Sequence, residues 1–164
     1  MSFLIKIFGA AATLLFALML LRGYKYFLKK RKEERDEFLV LFDAVRDGVG
    51  CFLSPLSSIF SRFCEGDSTL ARISRRIKDG ESPKSAYNAE ERGFHIGEAG
   101  REILSSFFSS LGRGYKDGEV AMCQSVGKRF FEYSESADKE DEKSARLAGA
   151  LTVGAALGII ILFI

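Results

Sequence analysis

The run LAGALTVGAALGIIILFI, Leu147 to Ile164, carries no charged side chain over eighteen residues. At 1.5 Å per residue a helix needs ~20 residues to cross a hydrocarbon layer of about 30 Å. A second run, FLIKIFGAAATLLFALMLL from Phe3 to Leu21, is uncharged apart from Lys6. Reading both as membrane helices divides the chain into a transmembrane helix over 3–21, a domain over 22–146 and a transmembrane helix over 147–164. The chain then stops where the bilayer stops, and the middle must leave one membrane face and return to it.

The flanking charge orients this hairpin. A cleaved leader puts its positive charge before the apolar stretch, whereas here Arg22, Lys25, Lys29, Lys30, Arg31, Lys32 and Arg35 follow it. The first run therefore reads as an uncleaved anchor, with Lys6 snorkelling near its end. The same cations assign the central domain to the cytoplasmic side and both termini to the other.

Outside the two runs the composition is ordinary. Lys and Arg number 24 against 22 Asp and Glu, for a net charge of +2, which gives no basis for nucleic-acid binding. Three cysteines, Cys51, Cys64 and Cys123, lack CxxC spacing and read as small core residues of a reducing compartment rather than a disulfide framework.

The central domain reads as all-α, an antiparallel bundle of about five to six helices. No proline interrupts the chain before Pro55, and Phe38, Phe42, Val45, Val49 and Phe52 repeat at 4-3-4-3 spacing, so the first helix should run continuously out of the membrane. Ser54-Pro55 predicts an N-cap followed by proline at the first helical position, with Leu56, Ile59, Phe60, Phe63 and Cys64 on one face. Asp67 or Ser68 can cap the next helix, bearing Leu70, Ile73 and Ile77 and stopping at Gly80, and Ser82-Pro83 opens another. Gly93, Gly97 and Gly100 suggest a loose connection. Ile103, Leu104, Phe107, Phe108 and Leu111 line one helical face closed by Gly112 and Gly114, and from about Gly118 a last helix merges into the second span. Clean period-two alternation and hairpin turns are absent.

Two patterns tie the ends together. Lys30, Arg31 and Lys32 lie on the first helix near the membrane, and Glu140, Asp141 and Glu142 lie on the last; antiparallel helices from adjacent spans would pair them as a stalk. Exposed pairs contribute only ~0.2–1 kcal/mol each, so they would set alignment more than stability. Within the bilayer Gly9, Thr13 and Ala17 on one span, and Ala150, Gly154 and Gly158 on the other, form small-residue stripes suited to span or subunit packing.

The chemistry-bearing motifs are missing. There is no GxxxxGK[ST] or GxGxxG loop to cradle phosphates, and His95, the only histidine, has no acidic or cysteine partner at metal-ligand spacing. No catalytic residue, cofactor or metal is assigned, and a docking protein is the expectation.

The order of features resembles the stage III sporulation protein AB family, which is similar to the platform protein of type II secretion and type IV pilus systems. The family's T-P-L element matches Ser54-Pro55-Leu56, although its preceding Tyr-Gly falls on Cys51 and Phe52. Its Leu-Gly-x-x-Asp turn keeps Leu111 and Gly112 but has Tyr115 at the acid position, leaving Asp117 or Glu119 to replace the carboxylate. The resemblance implies a non-enzymatic platform or adaptor of the sporulation channel linking mother cell and forespore. Its implied partners are a cytoplasmic secretion-type ATPase, other membrane proteins of that complex, membrane lipid and further copies of itself. ATPase contact is expected at the turns farthest from lipid, on Ser54, Pro55, Leu56, Leu111, Gly112, Asp117 and Glu119. The other readings are a secretion or pilus platform outside sporulation, or a membrane-bound enzyme or sensor using His95 or the cysteines.

Overall fold

A computed structural model describes residues 2–50, 54–113 and 116–163. Cys51, Phe52, Gly114 and Tyr115, invoked above, lie outside the described residues. The elements are α1 (Ser2–Gly50), α2 (Leu56–Phe60) with a 3₁₀ turn at Ser61–Phe63, α3 (Thr69–Lys78), α4 (Pro83–Glu90) with a 3₁₀ turn at Glu91–Gly93, α5 (Glu98–Ser110) and α6 (Lys116–Phe163). No strand occurs among the described residues, as the sequence predicts. The chain forms two compact units, Met1–Lys30 with Ala137–Ile164, and Arg31–Ser136.

The local signals act where the spacing put them, with two exceptions. The Ser68 hydroxyl accepts from the Ala71 N–H at 3.2 Å, and Ser82 accepts from Ser85 at 3.3 Å ahead of Pro83 at the first position of α4. Each bond satisfies one of the orphan donors of a first helical turn. Gly80 and Gly112 adopt φ of 97° and 78°, left-handed values that terminate α3 and follow α5. Ser54, in contrast, is not the cap of α2: that role falls to Pro55, whose carbonyl accepts from Ser58 and Ile59 at 2.9 and 3.2 Å. The Ser54 N–H instead closes the end of α1 on the Gly48 carbonyl at 3.0 Å. The second exception is Gly100, which is no loose connector but a buried residue inside α5. A Cβ there would fall 2.5 Å from the Tyr133 ring and 2.4 Å from Ile96, so the missing side chain is what lets α5 approach α6.

The core of the second unit is aromatic. Phe38 and Phe42 on α1 meet Phe130 on α6 at centroid distances of 6.1 and 5.3 Å, both edge-on, and Phe42 meets Phe107 on α5 at 4.8 Å and 87°. Such geometry sets the positive ring edge against the negative face. Tyr87 on α4 stacks on Phe108 at 5.2 Å, and Leu70, Ile73 and Ile77 of α3 complete the buried cluster. α1 and α6 run antiparallel here: a Cβ on Gly50 would touch Val120 at 3.3 Å, and one on Gly127 would touch Phe42 at 3.6 Å.

In the first unit Ala156 and Leu28 are buried, whereas Gly154 and Gly158 are exposed and a Cβ on either meets nothing within 4 Å. Ala150 and Gly9 are exposed as well, with Thr13 and Ala17 half-buried. Among the described residues one helix is long and apolar enough to cross a membrane, α1 from Ala11, whose apolar eighteen-residue window has a mean hydropathy of 1.3 and no buried residue. This is consistent with membrane association.

Gly100→Ala should therefore lower the unfolding free energy by about 1–3 kcal/mol through overpacking. Gly118→Ala, where the new methyl meets open space, should be neutral or stabilising by less than about 1 kcal/mol. Urea titration of the detergent-solubilised chain, followed by circular dichroism, measures both.

Candidate partner-docking site

The turns singled out by sequence come together. A Cβ on Gly112 would lie 3.2 Å from Leu56 Cδ1, so the entry to α2 and the exit of α5 form one continuous surface. Pro55 and Gly112 are exposed, Ser54 and Leu56 are half-buried, and Leu111 turns inward to the core. α2 is held there because Ile59 packs into the notch of Gly48, where a Cβ would meet its Cδ1 at 2.5 Å. Gly48, Ser54, Ser58, Ile59 and Arg62 edge a groove of about 280 Å³ beside this surface.

The two acids offered as replacements for the family's aspartate separate cleanly. Asp117 is exposed, whereas Glu119 is only 9% exposed and its Oε1 has no hydrogen-bond partner among the described residues. One turn further, burial pushes the Cys123 thiol up to about 11, with Glu119 adding to the effect, so the sulfur carries its proton at neutral pH. Cys64 is half-buried and its Sγ lies 3.5 Å from the Phe60 carbonyl.

A second constellation surrounds His95, and its key member is a residue not singled out above. Glu34 on α1 is buried, and its Oε2 accepts the N–H groups of His95 at 2.8 Å and Ile96 at 3.0 Å. The next N–H, of Gly97, donates to the Tyr133 hydroxyl at 3.1 Å. The strand of chain leading into α5 is thus fixed by one side chain from each long helix. The His95 ring itself stays 45% exposed, with Nδ1 4.0 Å from Glu34 Oε1. Burial raises the Glu34 carboxyl above its ordinary range, against the lowering effect of the two backbone donors and the Thr69 hydroxyl. Thr69 also donates to the Gly93 carbonyl at 3.1 Å and accepts from Arg72 at 3.3 Å. Arg72 and Arg76 both grip Glu90, at 2.7 and 3.0 Å, clamping α3 to α4. These guanidinium contacts hold Glu90 below the usual carboxylate range; a bond from Ser85, then Arg76, does the same for Glu81.

Of the charges expected to form a stalk, Lys30 and Glu140 to Glu142 belong to the first unit, whereas Arg31 and Lys32 open the second. Glu142 pairs with Arg146 one turn along α6 at 2.5 Å. Lys30 Nζ stands 5.8 Å above the Tyr26 ring, and an Arg31 nitrogen would lie 3.5 Å from a Cβ on Gly97. Three or more metal-ligating side chains are nowhere grouped among the described residues.

These features define a class: an all-helical protein whose first helix is long and apolar enough for a bilayer, carrying a bundle with a surface made of two adjoining turns. The model of the stage III sporulation protein AB family matches residues 6–164, and the chain belongs to that family. It is therefore a sporulation-related protein. No curated relative and no solved structure matches it.

The Glu34 environment predicts a pH signature. Its folded-state value is raised above the unfolded 4.5, so its contribution to stability is greatest below that pH and declines as pH rises through the raised value. Glu81 and Glu90 are lowered, and their contribution is lost as pH falls below 4.5. Glu34→Gln keeps an acceptor for the two N–H groups without a buried charge and should abolish the decline above pH 4.5 in urea midpoints. Glu34→Ala strands both donors and should cost about 2 kcal/mol or more.

Proposed function

We propose that the protein is a non-enzymatic platform or adaptor of the sporulation channel that joins mother cell to forespore. It is held in the mother-cell membrane by the two apolar helix ends, with the bundle on the cytoplasmic side. Its cytoplasmic partner is a secretion-type ATPase, and its membrane partners are other proteins of the same complex. The observation that carries this reading is the apposition of Leu56 and Gly112, which turns two separate family motifs into one exposed surface. Of the two acids, Asp117 is the exposed carboxylate open to a partner, since Glu119 is buried.

The role follows from mechanics more than from a reactive group. A bundle locked by interdigitated aromatic rings deforms little, so a force or a position imposed at the turns reaches the long helices without being absorbed. The cations after Leu21 support the cytoplasmic placement. The packing of both apolar segments into one unit supports a two-span hairpin. The open face of Gly154 and Gly158 suits approach by a span of another subunit.

The full-length chain should co-purify with the ATPase of its operon. Pro55→Glu combined with Asp117→Lys should reduce recovery at least about fivefold, a loss of about 1 kcal/mol of binding free energy. Reversing Glu140, Asp141 and Glu142 should instead weaken assembly in the membrane, with recovery when Lys30, Arg31 and Lys32 are also reversed. Loss of ATPase binding with the stalk variants but not the turn variants would refute the docking site, and digestion of the bundle by protease added outside intact cells would refute the topology.

A further inference from the structure

Away from those turns, α1 and α6 enclose a groove of about 440 Å³ on the outside of the bundle. Its floor is Phe42 against Gly127, where the absence of a side chain on Gly127 keeps the space open. Its mouth carries Phe131, whose position is 51% exposed, beside half-buried Leu39, while Val40 on the adjacent α1 face is 59% exposed. A phenyl ring buries about 150–250 Å² when covered, so leaving Phe131 in water forgoes a substantial apolar contribution.

The two walls differ in charge. On α1, Arg46 is shared by Asp43 at 2.9 Å and Asp47 at 3.0 Å, so two carboxylates face one guanidinium and a negative charge is left over. On α6, Lys128 lines the groove and makes no ion pair among the described residues. One face thus presents both halves of a complementary pair that do not meet within the chain. A surface with this property is matched by itself when turned through a two-fold rotation, because residue i of one copy meets residue j of the other and the reverse.

We propose that the occupant of this groove is a second copy of the chain, in an isologous dimer. Each Phe131 enters the groove of the partner copy, and each Lys128 faces Asp43 and Asp47 across the two-fold axis. The patch is small, so the free energy of association comes mainly from the two aromatic anchors, and the charges fix the register. Confinement to one membrane raises the local concentration and compensates for the modest area. This inference does not rest on ATPase docking, which uses the opposite ends of α2 and α5.

The test exploits the symmetry. Full-length chain in lipid nanodiscs or detergent is assayed by analytical ultracentrifugation, or by energy transfer between labelled copies in liposomes. The natural protein should form dimers, and Phe131→Ala should weaken them by about tenfold or more. Lys128→Glu makes both walls acidic, and Asp43→Lys with Asp47→Lys makes both basic, so each variant alone should dimerise about tenfold or more weakly than the natural chain. Mixed together, the two variants should form a heterodimer at near-natural affinity, since every wall then meets its opposite. All these positions lie at the surface, and unchanged thermal unfolding verifies that folding is intact. A natural chain that stays monomeric overturns the proposal. So does a mixture that fails to recover, or a Phe131→Ala variant that keeps its dimers while losing a different protein partner.

Discussion

Phe42 resting on Gly127, with Gly50 against Val120 farther along, fixes the distance between the two long helices of the bundle, and the remaining elements take their places from that contact. From there the Phe42 ring reaches Phe107 and Phe130 edge-on. α5 can approach only because Gly100 yields to Tyr133. Gly100 therefore sets one helix separation, and the buried rings of Phe38, Phe42, Phe60, Phe107, Phe108 and Phe130 fill what remains. Close-packed interiors resist small displacements, which suits a protein whose proposed work is to hold position.

The polar part of the interior follows a different logic. Glu34 of α1 holds the N–H groups of His95 and Ile96, Thr69 of α3 donates to the Gly93 carbonyl of the same stretch, Arg72 of α3 grips Glu90 of α4, and Tyr133 adds α6. Glu34 and Tyr133 between them satisfy the consecutive N–H groups of residues 95–97. A purely apolar bundle could slide in register; these bonds have direction and admit one arrangement. The aromatic rings supply cohesion, and the polar chain supplies uniqueness.

Most of the architecture was legible because its signals are local. Ser68, Ser82, Pro83, Gly80 and Gly112 act at the positions their chemistry implies, and the heptad-like phenylalanines mark the inner face of α1. Ser54 was misread because an Ser-Pro pair looks the same whether serine caps the next helix or closes the previous one; only the Gly48 carbonyl decides. Gly100 was misread because a glycine inside a helix and one in a loop differ by what stands opposite, here a ring 33 positions away. Glu34 was hidden in a run of charges that reads as a solvated face. One clue existed: it lies four residues before Phe38, on the same side of the helix. The adjoining of Leu56 and Gly112 had no sequence signature, since it depends on how α2 folds back onto α1 through Ile59 and Gly48.

The stretch from Phe94 to Gly97 is anchored by acceptors on two different helices, one oxygen of Glu34 and the hydroxyl of Tyr133, in strict succession along the backbone. Inserting or deleting a residue there would shift every donor off its acceptor at once. The surrounding turns at 64–68 and 79–82 carry no such double anchorage. Variation in chain length across the family should accordingly gather at those turns, and the entry to α5 should keep its spacing even where its side chains drift.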